Sequence, residues 1–235
     1  MPQSADARAR KAITRCVVAA AFMTLCAGCT PQQQLLMSLL PDGTIPVLLS
    51  HFDKVDDTNR RRIAEFEQRR DWEGLARFAE ENVRKDKLNG DWWIVAGYAY
   101  SQGGQRKRAI ECYNEVVRLA PEDELGWNLL AQSYRFDRQP ERALQVVNRA
   151  LNVSRQEPPT WILQGDIYSD LGRFEPAVRS YQEALKLDQR YGQAWLGMGK
   201  AYARLGRNAE VKEVATVLQK LDPELARELA AAVAR

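Results

Sequence analysis

Histidine is the scarcest chemical resource in this sequence. His51 is the only one in 235 residues, which excludes a two-histidine zinc motif and any relay built on several imidazoles. Cysteine is scarce too: Cys16, Cys26 and Cys29 fall in the first thirty residues, and Cys112 stands alone after them. One thiol cannot make an internal disulfide, so Cys112 is expected to be a small, semi-buried apolar residue of a helix. No run of eighteen apolar residues occurs, which excludes a protein of several membrane-spanning helices. Gly103-Gly104 is not followed by the Lys-Ser/Thr of a phosphate-cradling loop, and neither a calcium loop nor paired-cysteine spacing is present. Ser50 beside His51 in an apolar stretch reads as structural, and the many carboxylates are distributed as on exposed helix faces. The expectation is a non-enzyme with no catalytic residues, no metal, no cofactor and no small-molecule substrate.

Net charge is small as well. The chain has 34 basic and 31 acidic side chains, a formal +3. Arg8, Arg10, Lys11 and Arg15 against Asp6 account for all of that surplus, so residues 29–235 carry thirty of each sign and are neutral. A neutral body gives no bulk electrostatic case for nucleic acid. With 45% hydrophobic and 28% charged residues, the composition is that of a folded protein.

What is present begins with an address. The basic stretch to Arg15 precedes an apolar run from Cys16 to Leu25 and then Cys26-Ala27-Gly28-Cys29, the order of a secretory signal peptide. The end resembles a bacterial lipobox, with Cys26 where Leu, Val or Ile is usual. That resemblance implies a signal of residues 1–28 and a lipid on Cys29. Acyl chains stabilise attachment by about 0.8 kcal/mol per buried methylene. Thr30 after the cysteine, by resemblance to Gram-negative sorting, implies the outer membrane, facing the periplasm.

A ruler of fixed length runs through the rest. Trp93, Trp127, Trp161 and Trp195 stand 34 residues apart, as do Tyr100, Tyr134, Tyr168 and Tyr202. Gly97, Ala131, Gly165 and Gly199 keep the same step, and so do Ala109, Ala143, Ala177 and Val211. Trp93, Gly97 and Tyr100 are spaced by four and three, so they share one face of a helix. The small residue lets a second helix approach while the aromatics fill the space beside it. Gly104, Gly172 and Gly206 fall where a residue of positive φ ends a first helix; Arg138 replaces the glycine once, ahead of Pro140. Pro121 and Pro223 stop second helices.

This pattern resembles the tetratricopeptide repeat family, whose unit is a pair of antiparallel helices. The resemblance implies an all-α, right-handed α-solenoid over residues 57–223. It comprises a degenerate repeat at 57–89, repeats at 90–123, 124–157, 158–191 and 192–223, and a capping helix at 224–235. Leu225, Leu229 and Val233 are expected to close the last repeat against water.

The resemblance also implies a concave groove lined by the first helices, used for a protein or peptide ligand. The family's groove positions translate to Asp91, Ile94, Tyr98, Ser101 and Gln102, then Asn128, Gln132, Arg135 and Phe136. The next repeats add Ile162, Asp166, Ser169 and Asp170, and Leu196, Lys200 and Arg204. Aromatics beside arginine and amides suit peptide recognition; solvated helix faces are the plain alternative. Some relatives clamp a C-terminal carboxylate with Lys and Asn, but Ile94 and Tyr98 occupy those places here, so that clamp is not expected.

Residues 29–56 are an anchored apolar tether or N-terminal cap. Leu35, Leu36, Met37, Leu39 and Leu40 precede a Pro41-Asp42-Gly43 turn, then Ile45, Val47, Leu48 and Leu49 follow. They would cover the first repeat, lie on the membrane or occupy the groove. Arg60-Arg61-Arg62 with Arg69-Arg70 is a solvated face or a headgroup contact. The expected function is a membrane-anchored scaffold that recruits a partner to an envelope machine for pili, secretion or the cell wall. The alternatives are a cell-wall or polysaccharide-processing enzyme and a structural subunit using its convex face.

Overall fold

The structure is a computed structural model, and it describes residues 55–234. The expected signal peptide, Cys29, His51 and the apolar segment to Asp53 lie outside these residues. Eleven helices and no strand occur among the described residues. They form successive pairs: α1 (Asp57–Gln68) and α2 (Trp72–Lys85); α3 (Gly90–Gln102) and α4 (Arg106–Leu119); α5 (Glu124–Phe136) and α6 (Pro140–Val153). Then come α7 (Pro158–Asp170) and α8 (Phe174–Leu187), α9 (Gly192–Arg204) and α10 (Asn208–Leu221), and the single α11 (Pro223–Val233). Each helix packs on the next, and first helices also meet first helices along α5, α7 and α9. The result is a right-handed α-solenoid of tetratricopeptide helix pairs closed by a capping helix.

Local sequence explains where the helices begin and end. Asp56, Asp71, Asn89 and Asp123 each accept a hydrogen bond from a backbone N–H of the first turn that follows, and Asp222 does so for α11. Pro140, Pro158 and Pro223 start α6, α7 and α11, where a missing N–H costs nothing. Every turn inside a pair passes through one left-handed residue, at a strict 34-residue step. These are Arg70 (φ 53°), Gly104 (76°), Arg138 (57°), Gly172 (69°) and Gly206 (72°). The glycine column extends one repeat further upstream than its glycines do, because Arg70 takes the same conformation as Arg138.

The small column works by contact. A methyl group on Gly97 would sit 2.6 Å from the ring of Tyr113, and one on Gly165 would sit 2.6 Å from Tyr181. The glycines therefore let a tyrosine of the second helix lie close against the first. The tryptophans are half-buried, and each indole Nε1 donates to a carbonyl six residues back, at 2.8–3.0 Å, in the loop between pairs. This bond fastens each repeat to the loop before it. At the C-terminal end Leu229 is buried and Leu225 half-buried, but Val233 is 41% exposed. It lies in the final turn of α11, where nothing further among the described residues covers it. Cys112 is buried, and burial pushes its thiol up to about 12, as suits an inert packing residue.

Candidate functional site

The concave side of the array is formed by the first helices of the pairs, and its chemistry is set at the seams where one first helix meets the next. Three positions recur at each seam in steps of 34. One lies near the end of a first helix, the second in the middle of the next first helix, and the third on that pair's second helix. At the seam of α5 and α7 they are Arg135, Asp166 and Tyr181. Arg135 donates from Nη1 to Asp166 at 3.1 Å and from Nε to Asp170, and the Tyr181 hydroxyl donates to the other Asp166 oxygen at 2.7 Å. Both charged side chains are largely buried, at 15% and 17% exposure. Burial raises the Asp166 carboxyl, with Arg135 and Tyr181 opposing that rise. Burial alone would lower the Arg135 guanidinium, but the two aspartates outweigh it and hold it charged.

At the seam of α1 and α3 the same three positions hold Glu67, Tyr98 and Tyr113. The Tyr98 hydroxyl donates to Glu67 at 3.2 Å, and its ring meets Trp72 edge-on, with centroids 5.9 Å apart. Burial raises the Glu67 carboxyl, and burial together with Glu67 raises the Tyr98 phenol. At the seam of α3 and α5 the positions are Ser101, Gln132 and Val147. Gln132 is 1% exposed, and neither its Nε2 nor its Oε1 has a partner. One turn earlier, Asn128 donates from Nδ2 to Thr160 at 2.7 Å, which leaves its buried Oδ1 unpaired. The Tyr113 hydroxyl is buried without a partner as well. At the last seam, Lys200 pairs with Glu228 of α11 at 2.7 Å.

The residues expected to line the groove therefore divide. Ile94, Ile162 and Leu196 are buried at 3–4% exposure, and the latter two belong to the hydrophobic core shared by the last two repeats and α11. Gln132 is buried between helices. These four are corrected from groove-facing to interior, because packing of the helix pairs leaves each of them no more than 4% exposed. Tyr98 is not a free aromatic anchor; it is half-buried and tied to the preceding pair. Arg135, Asp166 and Asp170 form an internal stitch, to which Ser169 adds a 3.4 Å approach to Tyr181. Asp91, Ser101, Gln102, Asn128 and Phe136 are half-buried, as is Lys200, while Arg204 is exposed with its guanidinium 4.7 Å from the Phe174 ring centroid. Sequence reasoning missed Glu67, Thr160 and Glu124, which join the concave network. Thr160 donates to Glu124, and the signal for this pair was a polar residue in the otherwise apolar start of α7.

Among the described residues no group of His, Cys, Asp or Glu is arranged to hold a metal ion, and no helix is long and apolar enough to cross a membrane. A cleft of about 440 Å³ opens between the α8–α9 loop and α11, lined by Asp188, Tyr191 and Leu225 among others, and none of its lining residues belongs to the expected groove set.

The class this geometry defines is a helical-repeat scaffold, and comparison with known proteins agrees. Residues 92–123 match the family profile described as tetratricopeptide repeat, and residues 165–206 match one described as TPR repeat. These segments of the chain are tetratricopeptide repeats. The fold resembles the crystal structure of MamA, with a TM-score of 0.63 and 17% identity over 74% of this chain and 98% of that one. It also resembles TTC0263, a thermophilic TPR protein of Thermus thermophilus, with a TM-score of 0.60 and 18% identity over 74% and 97% of the two chains. YrrB, described as a TPR protein with an unusual peptide-binding site, has a TM-score of 0.57 and 17% identity over 72% and 88%. At these identities the likeness concerns the fold. No curated protein matches the chain.

Proposed function

We propose that this protein is a lipid-anchored adaptor: the lipid on Cys29 fixes it to the outer membrane, and its concave face holds a peptide segment of a periplasmic partner. The observation that carries the reading is Phe136. It lies at the end of α5 on the concave side, half-buried, with no aromatic or cationic partner among the described residues, beside the fixed guanidinium of Arg135. Aromatic side chains, and arginine beside them, are enriched in protein recognition surfaces. The peptide-binding description of YrrB supports the same use of the fold. Recruitment of a partner to an envelope assembly, of pili, secretion or the cell wall, is the role such an anchored groove serves.

The test is a photo-crosslinking residue at position 136 in intact cells, with a second at Leu187, which is 39% exposed at the end of α8. One partner captured from 136 and not from 187 is expected. Capture from 187 alone would move the working surface to the convex side. For the anchor, a clickable fatty-acid label should mark the wild-type chain and be absent from Cys29→Ser.

A further inference from the structure

Four loops join one helix pair to the next, and the first is built unlike its siblings. The others put Leu119, Val153 and Leu187 at the end of the second helix and Glu122, Gln156 and Arg190 three residues on. The first loop reverses this, with Lys85 in the apolar place and Leu88 in the polar one. Leu88 is 73% exposed, more than any other large apolar side chain among the described residues. Its N–H donates to Asp86 Oδ1 at 3.1 Å, and the Trp93 indole donates to the Lys87 carbonyl at 3.0 Å. These bonds fix the leucine at the loop tip, next to a half-buried indole. Arg84, Lys85 and Lys87 around it are exposed, and none makes an ion pair among the described residues. By contrast, Arg118, Lys186 and Arg190 of the sibling loops each pair with a nearby carboxylate. The last turn of α2 accounts for Arg84 and Lys85, since cations suit a helix C-terminus. Lys87 and Leu88 lie beyond that helix, and the fold has no use for them there.

We propose that the loop at Arg84–Leu88, with Trp93, docks on an anionic bilayer surface. Leu88 enters the boundary between headgroups and acyl chains, and Arg84, Lys85 and Lys87 meet lipid phosphates. The proposal rests on the membrane half of the reading above, which brings a bilayer near, and adds a second contact that orients the array. The chemistry of the loop fits that surface. Tryptophan favours the level of the headgroups, with its ring in the apolar layer and its N–H bonded. Lys and Arg lay apolar stems along such a boundary while their charges stay in the polar layer. The three cations against Asp86 leave the loop net positive, as anionic headgroups require. A protein partner is the weaker fit, because a stable protein interface takes roughly 20–30 residues a side. Here one leucine and one indole make the apolar part, which is enough to add to an existing anchor. Position agrees as well: of the four loops, this one stands nearest in sequence to Cys29.

The experiment places a diazirine amino acid at position 88, or at 156 as the control, in the full chain. The chain is reconstituted into vesicles of phosphatidylcholine with or without phosphatidylglycerol, irradiated, and its lipid adducts are measured by mass. Position 156 is exposed at the equivalent place two loops on. The expected yield of lipid adduct at 88 is about tenfold that at 156 when phosphatidylglycerol is present. It should fall severalfold without that lipid, and also in about 0.5 M salt, which screens exposed charges. Combined Arg84→Gln, Lys85→Gln and Lys87→Gln should lower it in the same way, and the salt arm needs no variant to fold. Equal yields at 88 and 156, or a yield at 88 indifferent to salt and to the anionic lipid, would overturn the docking. So would irradiation in intact cells that joins position 88 to a protein, or to residues 31–53 of the same chain, in place of lipid. A fatty-acid label on Cys29 with no lipid adduct at 88 sinks the loop and leaves the anchor standing. Adducts at 88 on a chain without that label sink the anchor and leave the loop. A chain that neither takes the label nor stays with anionic vesicles refutes both.

Discussion

The seam of α5 and α7 and the seam of α3 and α5 are built on the same three positions and end in opposite states. In the first, Arg135, Asp166 and Tyr181 satisfy one another; in the second, Ser101, Gln132 and Val147 leave a buried amide unpaired. Space decides the difference. Tyr181 lies between two glycines: a methyl on Gly165 would come within 2.6 Å of its ring, and one on Gly197 within 2.5 Å. The equivalent positions one repeat earlier are Ala131 and Leu163, and the second helix there carries Val147 in place of the tyrosine. A valine cannot donate a hydrogen bond, and Ser101 is too short to replace Arg135. The lesson is that a glycine on the first helix admits a tyrosine on the second, as Gly97 does for Tyr113 and Gly165 for Tyr181, whereas Ala131 stands opposite Val147 and leaves Gln132 buried without a donor.

The largest effect is expected where the stitch is cut. Arg135→Ala leaves Asp166 buried without its cation and should destabilise the fold by about 3–5 kcal/mol in urea unfolding. Next comes a matched pair of hydroxyl deletions. Tyr181→Phe removes the donor to Asp166 and should cost about 1–3 kcal/mol, whereas Tyr113→Phe removes a hydroxyl with no partner and should be neutral or slightly stabilising. Equal losses in the two variants would erase the contrast between seams.

A smaller effect separates the seams by pH. Burial raises the Glu67 carboxyl, so its folded-state pKa lies above the unfolded value. Stability from such a group is present below the unfolded pKa and is lost as pH rises through the folded pKa. Glu67→Gln keeps an acceptor for Tyr98 and abolishes that loss. Its melting temperature should therefore exceed wild type at pH 7, with the gap closing below the carboxylate range. The smallest effect lies in the turns. Arg138 is held at φ 57° where three sibling repeats have glycine, so Arg138→Gly should gain about 1 kcal/mol, and Gly172→Arg should lose a similar amount.

The fold was readable because its signals repeat. Tryptophan, tyrosine and small columns at 34-residue spacing located the helix pairs from Gly90 onward, and Gly104, Gly172 and Gly206 marked the left-handed turns. The site was less readable, since position numbers identify a face and not how tightly neighbours close over it. Ile94, Ile162 and Leu196 lie on the expected row but are swallowed by packing between repeats. Pairings such as Tyr98 with Glu67 and Arg135 with Asp166 join residues 31 apart, a spacing that combines one repeat length with a step back of nearly one helical turn. Nothing in the linear pattern announces that combination. The unpaired state of Gln132 is less visible still, because it depends on what Ser101 and Val147, far off in sequence, fail to offer it.

Equilibrium urea unfolding of Gln132→Leu beside Arg135→Ala, three residues apart on one helix, tests the contrast most directly. The account predicts opposite signs: the midpoint of Gln132→Leu rises, by about 1–3 kcal/mol in stability, while that of Arg135→Ala falls. Two falls of similar size would show that both seams are stitches, and the distinction between them would not stand.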